Sequence, residues 1–142
     1  MLSRREGRRA VGEYILTVDD LRAGRRFEDA VALGVFYLDG HDPGNDKRTY
    51  ILPKDQLAVP PYQIPFRSLI VKGACNLLAA GRVLSADQLA LSSARVMTTC
   101  AMTGQAAGIG AALAFEENCT VGKLDGRRIG ALVRQNGGVL DL

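Results

Sequence analysis

The chain has 142 residues, of which 47% are hydrophobic and 23% charged, and its net charge is +3. These values fit one globular domain with a single core and exclude a disordered chain, a collagen-like chain and a coiled coil. The charge surplus is too small to imply nucleic acid, and Arg4, Arg5, Arg8 and Arg9 read as a solvated segment because neither aromatics nor a continuing basic stripe accompanies them.

Gly12 and Glu13 follow this basic start where a secretory leader needs an apolar run, so no leader is expected. Val11 to Thr17 reads as a strand. Thr17 then suits a helix N-cap, with Asp19 and Asp20 in the first turn of a short helix that stops near Gly24. Phe27 to Leu33 is expected as a second short helix ended by Gly34, and Val35 to Asp39 as a second strand. Gly40 to Arg48 is a polar loop with a Pro43-Gly44 turn, and Tyr50 to Leu52 a third strand. Pro53, Pro60, Pro61 and Pro65 keep the following stretch extended, including Tyr62 to Arg67.

The texture changes after about Val71. Asn76 to Ala80 is a short apolar run followed at once by Gly81, the pattern of a buried strand in a parallel sheet. Ser85 to Ala94 reads as a loop with a turn or two of helix, and Met97 to Asn118 as one long helix. Asp125 suits the N-cap of a last helix to about Gln135, closed by Gly137 and Gly138. Val96 to Phe115 is uncharged and as long as a bilayer span, but Thr98, Thr99, Thr103 and Gln105 are costly in lipid, so a buried helix is expected. Cys75, Cys100 and Cys119 are an odd number at no metal-ligand spacing, and they read as reduced thiols of a cytoplasmic protein.

The long helix carries Gly104, Gly108 and Gly110, each unfavourable by about 1 kcal/mol against alanine. Two readings account for them: close helix–sheet packing, or a helix whose start at Val96 to Cys100 faces a ligand. Unpaired N–H groups there suit an anion or a developing negative charge. Cys100 at that start is expected to have a lowered thiol pKa. Arg82 follows a strand end, where α/β sheets bind ligands. His41, the only histidine, reads as a loop hydrogen-bonder, and the acids form no obvious acid–base pair.

Asn76-Leu-Leu-Ala-Ala-Gly-Arg82, Ser85, Ser93-Ala-Arg-Val-Met-Thr-Thr-Cys100 and Gly104-Gln-Ala-Ala-Gly108 resemble the C-terminal signature of FAD-dependent oxidoreductases, in a bacterial branch with a glutathione-reductase-like flavin fold. Arg8 to Tyr14, Gly24 to Phe27, Asp39-Gly-His41 and Tyr62 to Arg67 match in the same order. Ala80 stands where valine is usual and Thr98 where proline is. The G-x-G-x-x-G turn that holds the ADP half of FAD has no counterpart here, since Gly104 to Gly110 falls within a helix.

The resemblance implies an α/β fold that is incomplete by itself: the C-terminal part of a Rossmann-like, glutathione-reductase-type enzyme with a β-rich substrate-side segment. Residues 1–70 would end the substrate-side domain and residues 71–142 would return to the FAD-binding domain. It implies Gly81, Arg82 and Ser85 beside the ribityl or pyrophosphate portion of FAD. Arg95, Val96, Met97, Thr98 and Thr99 would bring the helix start to the isoalloxazine edge, and Gly104 and Gln105 would pack the helix near the cofactor. Tyr62 and Arg67 are the substrate-side candidates, for a small molecule the sequence does not name. The complete protein would exchange a hydride at flavin N5, while this chain alone is expected to be inactive. Its partners would be FAD and the missing dinucleotide-binding segment, or another copy, because an unpaired Asn76–Ala80 edge invites self-association. The alternative is a non-catalytic α/β module that binds a partner chain through the small-residue helix.

Overall fold

The computed structural model describes residues 7–41 and 51–142. The Pro43-Gly44 turn, Tyr50 and the arginines at 4 and 5 lie outside them, while Arg8 and Arg9 are exposed. Four α-helices surround one two-stranded sheet among the described residues: α1 (Val18–Arg22), α2 (Gln88–Ala94), α3 (Met97–Glu116), α4 (Gly126–Gln135), β1 (Ala30–Gly34) and β2 (Tyr62–Pro65). Short 3₁₀ turns at Lys54–Gln56, Phe66–Ser68, Gly81–Val83 and Val121–Lys123 link them.

The strands pair antiparallel, with Gly34 opposite Tyr62 and Ala32 opposite Ile64, and a bulge falls between Ala30 and Ala32. Every residue of both strands is buried. Helices α3 and α4 lie on β1, and α1 lies against β2. The core runs through Leu16, Leu21, Val31, Ile64, Phe66, Leu91, Ala106 and Ile129, so it draws on both ends of the chain.

This sheet corrects the expected helix over Phe27 to Leu33. Ala-Val-Ala-Leu-Gly is small and apolar on both faces, which suits a strand covered on both sides. Tertiary burial overrides the helical preference of its alanines. The chain leaves the sheet after Gly34, so the expected strand at Val35 to Asp39 does not form. Val35 is exposed and Leu38 is buried through a backbone bond to Leu57. Ile51 and Leu52 form a bend instead of a strand, with Ile51 N–H bonded to the Gly40 carbonyl. The prolines keep 57–61 free of helix, although Lys54–Gln56 makes a single 3₁₀ turn.

Asn76 to Ala80 is not a parallel strand. Leu78 makes one antiparallel bridge with Ile70, flanked by Val71 N–H to the Leu77 carbonyl and Ala79 N–H to the Leu69 carbonyl. The segment therefore finds its partner a few residues upstream, and Leu77 stays exposed. Val11 to Thr17 is likewise extended but not a regular strand. It threads between two neighbours, bridging Val71 from Gly12 and Ala86 from Leu16.

The helices follow their expected signals. Thr17 caps α1 by accepting from Asp20 N–H, and Asp20 accepts from Thr17 N–H in return. Asp87 caps α2 at Ala90 N–H (2.7 Å), and its other oxygen accepts from Val18 N–H (2.7 Å), which ties the two helix starts together. Asp125 caps α4, which ends at Gly137 in the left-handed conformation. Thr17→Ala is expected to lower the unfolding free energy by about 1 kcal/mol in urea titrations, because Asp20 N–H loses its acceptor.

No helix among the described residues is long and apolar enough to cross a membrane. All three cysteines are unpaired.

Candidate flavin-facing site

The 3₁₀ turn at Gly81–Val83 lies against the start of α3. Gly81 adopts φ +68°, a conformation that favours glycine, and a side chain there would meet Cys100 at 3.7 Å. Its N–H donates to Thr103 Oγ1 at 3.1 Å, and that hydroxyl bonds back to the carbonyls of Thr99 and Cys100 at 3.0 Å. Thr103, which the sequence reading used only to argue against a membrane span, is thus the pin between turn and helix. Its signal was available: a buried threonine inside a helix can bond to the preceding turn and still accept one further N–H.

Val96 is the N-cap of α3, and no side chain caps this end. Met97 and Thr98 in its first turn are exposed, as is Arg82 on the adjoining 3₁₀ turn. Farther along, Ala101, Gly104, Gln105, Gly108, Ala111 and Phe115 form one exposed stripe at helical spacing.

The glycines of this helix divide between the two readings. A side chain on Gly110 would meet the Phe66 ring at 3.0 Å, so that glycine serves internal packing. Gly104 and Gly108 have nothing within 4 Å. Their propensity cost of about 1 kcal/mol each is repaid by no contact within the described chain.

Gly81, Arg82, Val96, Met97, Thr98, Gly104 and Gln105 therefore share one open face. Three other candidates lie beneath it. Ser85 is buried against Gly12, with its hydroxyl unpaired in the core. Thr99 is buried, and Arg95 is only 7% exposed and turns to the Asp39 carbonyl at 2.6 Å.

The thiol of Cys100 corrects an expectation. Burial raises its pKa, and the Arg82 charge, which lowers it, does not compensate.

Tyr62 and Arg67 stand apart from this face and from each other. Tyr62 is a core residue, fully buried against Gly34, with its hydroxyl 2.7 Å from Ser93 Oγ. Arg67 is half-exposed, bound to Asp29 through two hydrogen bonds of 2.9 and 3.2 Å, and 5.3 Å above the Tyr14 ring. It lines an open groove of about 550 Å³ with Phe27, Phe66 and Arg127. A second groove of about 550 Å³ lies at the far end of α3, near Phe115 and Cys119. No metal-binding cluster of His, Cys, Asp or Glu occurs among the described residues.

The open face combines an uncapped helix start, bare backbone at Gly104 and Gly108 and a left-handed glycine turn beside an arginine, a set chemically compatible with an anionic or electron-rich ligand edge. Comparison with curated proteins, and with solved structures, returned no match. Residues 2–134 match the family described as FAD dependent oxidoreductase. The chain, matched over nearly its whole length, belongs to the FAD dependent oxidoreductase family and its cofactor is FAD.

Proposed function

We propose that this chain supplies the ribityl and isoalloxazine side of the FAD site in an oxidoreductase of glutathione-reductase type. Bound FAD supplies the hydride-exchanging centre. The chain's own part is to orient it: the α3 start directs N–H groups at the ring edge, and Gly81 and Arg82 hold the linker toward the phosphates. The observation that supports this reading is the emptiness around Gly104 and Gly108, two glycines on the exposed side of α3 where an added Cβ would have no described atom within 4 Å.

The test follows from the same emptiness. A Cβ at Gly108 has no described atom within 4 Å and the position faces outward on an exposed stripe, so the melting temperature of Gly108→Leu should hold or rise. FAD affinity, read from flavin fluorescence during titration, should fall at least about tenfold because the leucine occupies the approach, a loss of about 1.4 kcal/mol. Unchanged affinity sinks the proposal. A second reading, in which α3 binds a partner chain, draws on Met97 and Phe115, which are 85% and 88% exposed at the two ends of the stripe. Under it, Gly108→Leu would alter self-association in sedimentation runs and leave FAD affinity untouched.

A further inference from the structure

We propose that Thr103 is the positioning residue of the flavin site, and that its hydroxyl holds Arg82 in register with the first turn of α3. The proposal rests on the flavin-facing reading above.

Arg82 is exposed, and no hydrogen bond or ion pair holds its side chain among the described residues. Its place therefore depends on the backbone of the Gly81–Val83 turn. That turn has two anchors: the Val83 carbonyl accepts from Ala10 N–H at 2.9 Å, and Gly81 N–H donates to Thr103 Oγ1 at 3.1 Å. The second is the one that reaches α3.

Thr103 is fully buried. Its single hydroxyl proton is directed at the carbonyls of Thr99 and Cys100, both 3.0 Å away, which leaves an oxygen lone pair for the turn. Thr99 and Cys100 belong to the first turn of α3, beside exposed Met97 and Thr98. One oxygen thus sets the spacing between Arg82 and the helix start. Two unfavourable choices meet at this bond. Threonine is a poorer helix residue than alanine, and the left-handed conformation of Gly81 is open to few other residues. A threonine that only filled the helix would bond to the preceding turn and need no further partner.

The consequence is for affinity. A ligand whose anionic and ring portions reach Arg82 and the α3 start must meet both together, and a fixed spacing lowers the cost of ordering them. Thr103 touches no ligand and acts through Arg82.

FAD is titrated into the intact chain and followed by flavin fluorescence. Thr103→Val keeps the side-chain shape and removes the acceptor, so affinity should fall about fivefold, the size of one hydrogen bond. Thr103→Ser should keep the wild-type affinity. In an Arg82→Ala background the valine should cost nothing further, because the side chain it positions is gone. Equal losses in both backgrounds, or unchanged affinity in Thr103→Val, overturn the positioning role. If the valine variant fails to fold, hydrogen exchange at the Gly81 amide of the wild type decides: protection in the free chain supports the proposal and fast exchange overturns it. Affinity indifferent to Arg82→Ala but lowered by Gly108→Leu refutes the positioning role and leaves the flavin-facing reading intact. Affinity indifferent to both refutes that reading, and this proposal with it.

Discussion

Gly130→Ala is expected to lower the unfolding free energy by about 3 kcal/mol or more, read as a shifted midpoint at unchanged m-value in urea titrations. A methyl group at this position of α4 would sit 2.4 Å from the Ala30 carbonyl oxygen. That neighbour is backbone, so no rotamer change relieves the clash. The Ala30 end of β1 is also held: Ala30 pairs with Pro65, and Phe66 N–H bonds to the adjoining Asp29 carbonyl at 2.8 Å. Helix α4 must therefore move away, opening the seam where Ile129 and Val133 are fully buried. Helix propensity pulls the other way, since alanine gains about 1 kcal/mol over glycine in an open helix. Gly108→Ala isolates that gain, because no described atom lies within 4 Å of the added methyl group. Opposite signs for the two substitutions are the expected result. A neutral Gly130→Ala would mean that α4 does not press on β1 as closely as 2.4 Å implies.

That contrast also marks what the sequence could and could not convey. Helices α3 and α4 were legible because their signals are local: an uncharged alanine-rich run, an Asp125 cap and a Gly137 stop. The α1 cap at Thr17 was legible for the same reason. Residues 30–34 were misread because their strand character comes from partners distant in sequence, β2 on one edge and α3 and α4 on the face. Asn76 to Ala80 looked like a buried parallel strand because short apolar runs carry no record of direction, and its partner is the neighbouring Leu69 to Val71. At the candidate site, sequence order placed Gly81, Arg82 and the α3 start together, as the structure has them. It could not show that Arg95 turns inward to Asp39, or that Gly110 and Gly108, two residues apart, face a core ring and open space. Those distinctions depend on helix rotation against a sheet that the sequence did not reveal.

Tyr62 makes the sheet's burial measurable through pH. Burial pushes its hydroxyl up to about 12 from an ordinary value of 10.0, against a smaller opposite effect of its hydrogen bond with Ser93. The sign follows from proton counting. Between the two values the unfolded chain gives up the phenol proton while the folded chain keeps it, so the folded state binds more protons and loses stability as pH rises. The contribution is fully present below pH 10 and gone above about 12. At about 1.4 kcal/mol per pH unit, the two-unit window amounts to about 3 kcal/mol. Tyr62→Phe keeps the ring packed against Gly34 and leaves Ser93 Oγ its bond to the Phe36 carbonyl, so its cost at neutral pH should be about 1 kcal/mol. The variant should nonetheless overtake the wild type in alkali, as its stability lacks this slope. Denaturant titrations at intervals from pH 9 upward decide the matter. Profiles that cross place the phenol in the core, whereas parallel profiles would mean that Tyr62 reaches solvent and that β2 is not closed over as the fold requires.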